Sequence, residues 1–372
     1  MVSCDVAIIG AGLAGLQCAR LLAQQGLKVV LIDRKTTLDQ KIHTTGIFVR
    51  RTFVDFDIPD DCLGPPLNHV TLYSPARRAF DFVSEHDEFR IGRMGPLYHR
   101  YLNQCLAAGV QWMPETSYLE HSESNGKLTV LLDTGHAVSS ITTRYLIAGD
   151  GARSRVARDL KLDLNHEWIV GAEVVFAGAV IQGPPRLLCF LDPKLAPGYI
   201  AWIAHDGEET HLGVGGYPQA FSPASALAKF QASIADIVDL RKAKQIERRG
   251  GYIPVGGVLK NIANTRGLLI GDAAGAVSPL TAGGLDPCMR LSAFAAKVVV
   301  EYLSSGNPQV LEAYSGELFR SKFASRLWAR RVASTLSQRH LLELICAFLR
   351  LPLLNRLARH VFFGRSSFPD VN

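Results

Sequence analysis

The 372 residues are 48% hydrophobic and 20% charged, enough apolar material for two or three packed units, which excludes a disordered chain. The net charge of +6 is mild but uneven: residues 320–365 hold ten Lys/Arg against one acid, Glu343, a local +9 that leaves the remainder at −3. No apolar run reaches the ~18–20 residues that span a bilayer. Asp5 and the Gly-rich turn behind it exclude a signal peptide, so a cytoplasmic chain is expected.

The first predicted element is the apolar run 5–10, DVAIIG, a buried parallel strand. Gly10, Gly12 and Gly15 follow as G-x-G-x-x-G, Leu16 to Ala23 read as a helix, and KVVLID (28–33) reads as a second strand ending in Asp33. This order of strand, turn, helix, strand and acid is the context a dinucleotide fingerprint requires. Gly10 permits the tight turn, Gly12 the close approach of a pyrophosphate, and Gly15 the close packing of helix on strand. The helix start offers N–H donors and positive dipole to phosphate, while Asp33, 18 residues beyond Gly15, suits the ribose hydroxyls.

Residues 69–82, HVTLYSPARRAFDF, predict two strands around a Ser-Pro turn. At 145–156, YLIAGDGARSRV predicts a strand, an Asp150-Gly151 turn and a helix start. Four strand-like runs follow between 166 and 216, EWIVGAEVVFAG, RLLCFLD, YIAWIA and THLGVGG, separated by Gly and Pro clusters. The Gly-Val-Gly-Gly at 213–216 lacks the helix and acid of a second nucleotide unit, and no separate NAD(P)H domain is visible. At 268–290, LLIGDAAGAVSPLTAGGLDPCMR predicts a strand, a Gly271-Asp272 turn and a helix opened by Gly283-Gly284. From about 290 the chain reads helical, and basic residues interleave with apolar ones on both sides of Pro352. Such helices either pack on the protein's own core or lie on an anionic membrane surface. No nucleic-acid motif accompanies them. The seven scattered cysteines form no CxxC pair, so buried thiols are expected and a metal site is not.

The three glycine turns together resemble the p-hydroxybenzoate hydroxylase-type flavoproteins. GDAAGAVSPLTAGGL with Arg290 behind it, and PGYIAWIAHDGEETHLGVG at 197–215, resemble that superfamily's geranylgeranyl reductase branch. The resemblance covers residues 1 to about 300. It implies an α/β fold: a discontinuous Rossmann-like FAD domain (1–68, 90–160, 262–300), an inserted, mostly antiparallel β domain (69–89, 161–261) over the substrate, and a helical region at 301–372. It implies FAD contacts from Gly10, Gly12, Leu13, Ala14, Gly15, Asp33, Arg34, Thr44, Arg93, Asp150, Gly151, Gly271, Asp272, Pro279, Ala282, Gly283 and Gly284, with Arg93 entering the cofactor groove. Tyr199 and Trp202 would form the substrate pocket. The sequence departs from the branch where Lys-x-Cys-Gly-Gly is usual: here Lys41-Ile42-His43-Thr44-Thr45-Gly46 stands, and Ile200 takes the Tyr of Y-x-W.

Bound flavin carries hydride or oxygen chemistry, and the protein orients and tunes it. His43 is the leading acid–base candidate, since imidazole titrates near neutrality; His205 and Asp286 are weaker candidates, and Lys41 is assigned no role. Three functions stay open: a reductase or dehydrogenase acting on a small apolar, isoprenoid- or lipid-like substrate; a single-component monooxygenase using NADPH or NADH; and a non-catalytic flavin-binding component of a membrane-associated assembly. The electron donor is not fixed by the sequence. Flavin-dependent halogenation is disfavoured because W-x-W-x-I-P is absent.

Overall fold

The computed structural model describes residues 2–335 and 338–364, so Arg365 of the basic stretch lies outside the described residues. Strand β1 (Val2–Ile9) is the centre of the first sheet, with Val6, Ala7 and Ile8 fully buried. Strand β2 (Val29–Ile32) pairs parallel on one side and β3 (Val138–Ala148) parallel on the other. The Gly267–Leu269 strand adds parallel to β3. Gln111–Met113 extends the sheet beyond β2, and the antiparallel hairpin of Ser117–Ser124 and Lys127–Asp133 extends it beyond β3. The parallel strands are covered on both faces, which is why they read as unbroken apolar runs rather than alternating ones.

Helix α1 spans Leu13–Gln24, α2 Arg155–Asp159 and α3 Leu285–Ser305, and α1 packs on α3. The carboxyl ends of β1, β3 and the Gly267–Leu269 strand are stitched together: Gly149 donates its N–H to Ile9 O at 2.8 Å, and Ile270 donates to Ala148 O at 2.9 Å. Three turns more than 100 residues apart in sequence thereby share one sheet edge, the place where doubly wound sheets bind ligands.

A second seven-stranded sheet takes its strands from residues 69–83 and 168–254. It contains β4 (Trp168–Ala177), β5 (Ala201–His205), β6 (Glu209–Gly216) and β7 (Lys244–Pro254). All neighbours are antiparallel except Leu187–Phe190 on His69–Tyr73. One face packs on the Pro223–Ser233 helix through Phe230, Leu212 and Val214. The opposite face looks toward the first sheet. Gly213 and Gly215 of β6 belong to this face: a Cβ on Gly213 would lie 2.1 Å from the Trp202 ring, and one on Gly215 2.7 Å from Tyr199. The Gly-Val-Gly run is therefore a seat for two aromatic rings.

The chain closes with α4 (Ala324–Thr335), α5 (Arg339–Phe348) and α6 (Pro352–Phe363). Pro352 falls in the first turn of α6, where its missing N–H costs nothing. Phe362 and Phe363 meet Phe82 and Phe89 with ring centroids 5.6 and 6.0 Å apart, fastening the tail to the second sheet. All seven cysteines are buried and free. No described helix is long and apolar enough to cross a membrane.

Candidate active site

A cavity of about 1880 Å³ runs from the three stitched turns to the inner faces of α4, α5 and α6. At its first end Gly10 has φ +103°, and a Cβ there would lie 2.2 Å from Gly149 O. Gly15 is not on the wall; a Cβ there would meet Gly10 O at 1.9 Å, so this glycine sets the contact between α1 and β1. Gly12 differs from both. Its φ of −71° suits any residue, and a Cβ would meet nothing within 4 Å, so only the cavity lies in front of it. No side chain caps α1 at this point, which leaves a helix start facing open space, a good fit for a pyrophosphate. Asp33 accepts from Ala11 N–H at 2.7 Å and from Lys35 N–H at 2.9 Å, holding its carboxylate at the cavity edge beside Arg34.

The second and third turns supply Gly151, Gly271, Asp272, Ala282, Gly283 and Gly284 to the same wall. The Asp272 carboxylate accepts no hydrogen bond among the described residues, and burial pushes it up to about 6. Gly284 caps α3 without a side-chain bond, so a second helix start faces the cavity. Leu13, Ala14 and Thr44 also line it.

Several expected contacts are placed differently. Asp150 reaches the wall, but its carboxylate is already engaged: it accepts from Ser154 Oγ at 2.6 Å and from the N–H groups of Arg155 and Val156 at 2.9 and 3.2 Å. Its carboxylate thereby answers the N–H groups at the start of α2. Arg93 does not line the cavity: its guanidinium is drawn to Glu208 and to Leu63 O. Pro279 is likewise off the wall, between Ser278 and Leu280, which are on it.

On the second-sheet side, His43, Tyr199 and Trp202 line the cavity and His205 does not. His43 is exposed, and its Nδ1 lies 2.9 Å from Gly250 O. Tyr199 donates its hydroxyl to Thr281 O at 2.6 Å, tying the second sheet to the third turn. Asp286 is on the wall, but its carboxylate accepts from Thr52 at 3.0 Å and from the buried Arg290 at 3.0 Å, which joins α3 to the Arg50–Asp55 helix.

Sequence reasoning missed a buried polar network behind Trp202. Glu173 on β4 is 4% exposed and accepts from Thr45 Oγ1, from Trp202 Nε1 at 3.2 Å and from His211 Nδ1 at 3.1 Å; Arg249 Nη1 lies 3.5 Å away. Arg249 also donates to Thr44 O at 2.9 Å, and Asp206 Oδ2 stands 3.6 Å from His211 Nε2. Burial opposes charge on Glu173, yet His211, Thr45 and Arg249 outweigh it and hold the carboxyl below its ordinary range. Burial likewise opposes charge on His211, and Asp206 and Glu173 overcome it, holding the imidazole up at about 9. The sequence carries one trace of this network, a lone acid inside the apolar run EWIVGAEVVFAG. Its partners come from strands that only sheet pairing brings together.

Residues 5–87 match the family model described as FAD dependent oxidoreductase. The chain is 27% identical to digeranylgeranylglycerophospholipid reductase 1 of Methanopyrus kandleri, over 92% of both chains. It is 26% identical to geranylgeranyl diphosphate reductase of Rhodobacter capsulatus, over 83% of this chain and 78% of the relative. Its fold superposes on a geranylgeranyl bacteriochlorophyll reductase-like protein from Thermoplasma acidophilum with a TM-score of 0.87 at 19% identity, covering 100% of this chain and 98% of that one. The p-nitrophenol 4-monooxygenase of Pseudomonas putida gives a TM-score of 0.72 at 15% identity, covering 98% and 100%. The mixed α/β flavoprotein fold and the likeness to the reductase branch expected from the glycine turns are thus both found.

Proposed function

We propose that the protein uses FAD to reduce carbon–carbon double bonds in an isoprenoid- or lipid-like substrate. The observation that carries this reading is the continuity of one cavity: the glycine turns at one end run without a break into a wall of Leu342, Ile345, Leu349, Val361 and Phe362 at the other. Gly12 and the start of α1 would hold the pyrophosphate, Asp33 the adenosine ribose, Asp272 the ribityl side, and the Ala282–Gly284 turn the flavin's pyrimidine edge. FAD, once bound there and reduced by the electron donor, would supply the hydride for one alkene carbon. The chain's own residues orient the alkene, exclude water and supply a proton to the other carbon. Trp202 and Tyr199, fixed by hydrogen bonds to Thr45 and Thr281, form the rigid wall against which the alkene would lie. His43 is the acid–base candidate on that wall. NADPH or NADH is the proposed electron source.

The test is anaerobic. Protein loaded with FAD and reduced by dithionite or NADPH is mixed with a polyprenyl lipid, and flavin absorbance is followed together with the mass of the lipid. Reoxidation of flavin with a gain of two mass units per double bond is the expected result. Flavin that reoxidises only on admission of air, with hydroxylated product, would replace this reading with the monooxygenase one.

The tail helices extend the proposal. Their inner faces line the cavity, while outward Trp328, Leu344, Leu351, Leu353 and Leu357 are 68%, 53%, 51%, 78% and 58% exposed. Arginines 331, 339, 350, 356 and 359 interleave with them. Apolar side chains rimmed by cations suit the interface of an anionic bilayer, which would bring a lipid substrate to the cavity without carrying it through water. Vesicles with anionic lipid are expected to bind the protein at least ~10-fold more tightly than neutral ones, given ~1 kcal/mol per basic residue near the surface. The double change Leu353→Glu and Leu357→Glu should abolish co-flotation. Equal binding to both vesicle types would count against this docking.

A further inference from the structure

Among the described residues of the cavity wall, one buried cation, Arg330, forms no ion pair. Arg330, on the inner face of α4, is 3% exposed. Its Nε donates to Tyr217 Oη at 3.0 Å, and its guanidinium lies 4.8 Å from the Tyr217 ring centroid and 5.7 Å from that of Tyr199. Its Nη2 is buried and donates to nothing, and no carboxylate pairs with it. Every other strongly buried arginine has an acid: Arg290 has Asp286 and Asp55, and Arg249 has Glu247 and Glu173.

A guanidinium does not deprotonate, so burial cannot relieve the site by neutralising it. Two aromatic faces offset part of the lost hydration through their quadrupoles, but they leave an N–H donor unanswered. What completes such a site is an anion arriving from the cavity, and the guanidinium fork fits the paired oxygens of a phosphate or carboxylate. Arg326, one helical turn before Arg330 on α4, and Lys322, at the end of the preceding Gly316–Lys322 helix, lie on the same wall and add positive potential. Apolar residues of α5 and α6 line the same cavity, so an anion held here has room for a hydrocarbon chain attached to it.

We propose that Arg330 anchors a headgroup subsite that takes a phosphate-type oxyanion carried on the apolar substrate. This rests on the reading of the cavity as an isoprenoid or lipid site and adds what distinguishes one such substrate from another. Tyr199 and Tyr217 are the positioning residues: their rings fix the plane of the guanidinium, and Tyr199 links it to the third glycine turn through Thr281 O.

Binding, not turnover, tests it. FAD-loaded protein is titrated calorimetrically with geranylgeranyl monophosphate, the matching carboxylate and the matching alcohol. Wild type is expected to hold the phosphate at least ~30-fold more tightly than the alcohol, as a charge-assisted bidentate pair implies. The carboxylate arm decides whether charge alone or a phosphate is read. Arg330→Met should erase the preference while leaving the alcohol's affinity unchanged, and Arg330→Lys should restore part of it. Should the methionine variant fail to fold, the lysine variant still tests the claim through the same ratio. A phosphate-to-alcohol ratio near one in wild type, or a ratio that survives in Arg330→Met, overturns the proposal. So does a variant whose FAD affinity or flavin spectrum changes while the ratio does not, since the arginine would then serve the flavin. A protein that shows the ratio but reduces no double bond would sink the reductase reading and leave the subsite standing.

Discussion

Gly12→Asp is expected to abolish FAD binding and leave the fold of the apoprotein intact. A Cβ there meets no protein atom within 4 Å and the backbone already has φ −71°, so the substitution starts in open space without backbone strain. The side chain projects into the space in front of α1, with a negative charge where the pyrophosphate would bind. Losing two charge-assisted phosphate hydrogen bonds, each about 1.5–3 kcal/mol, corresponds to a weakening of at least ~100-fold, before repulsion is added. Flavin fluorescence titration reads the loss, and a urea midpoint unchanged from the wild-type apoprotein reads the intact fold. Gly15→Val should do the opposite: a Cβ 1.9 Å from Gly10 O forces α1 off β1, so the apoprotein itself loses stability. If Gly12→Asp still binds FAD at wild-type strength, the cradle is not where the cofactor sits.

The second large effect is expected at Glu173. Removing this carboxylate leaves the imidazolium of His211 and the guanidinium of Arg249 buried beside an empty space, a change that costs about 3–5 kcal/mol for a broken buried pair. Urea unfolding of Glu173→Ala should show that loss, with Glu173→Gln intermediate because the amide still meets Thr45 and Trp202. The same network sets a pH dependence. Since His211 is held at about 9, above its ordinary value of 6.5, its contribution is complete below about 6.5 and disappears as pH rises through 9. Glu173 and Asp206 are held low, so their contributions are present above the usual carboxylate range and fade only in acid. Wild-type melting temperature should therefore fall between pH 7 and 9.5, and Glu173→Ala should flatten that limb. A parallel pH profile in the two proteins would show that His211 is not held by Glu173.

The strands and turns of the cofactor half were legible because their signals are local. DVAIIG, KVVLID and YLIAGDG are buried on both faces and so appear as uninterrupted apolar runs. Gly10 shows in the sequence because its positive φ tolerates no side chain, and Gly15 because its neighbour does not. The polar residues behave otherwise. Arg93 is expected in the cofactor groove from the family resemblance and Asp150 from its place at a strand end; in the fold Glu208, 115 residues from Arg93, and the start of α2 are their partners. Glu173, His211 and Arg249 gave little sign of each other, because strand pairing with a period of two decides which face each residue joins.

The order of elements and the glycine cradle were determined by the sequence itself, since backbone conformation and hydrophobic periodicity act over a few residues; the flavin expectation rested on the resemblance of the three glycine turns to a flavoprotein superfamily. Only the tertiary structure decided which charges are satisfied. Electrostatic pairing depends on distance in space, and the partners of Glu173 and the solitude of Arg330 are settled by how the second sheet and the last helices close over the cavity.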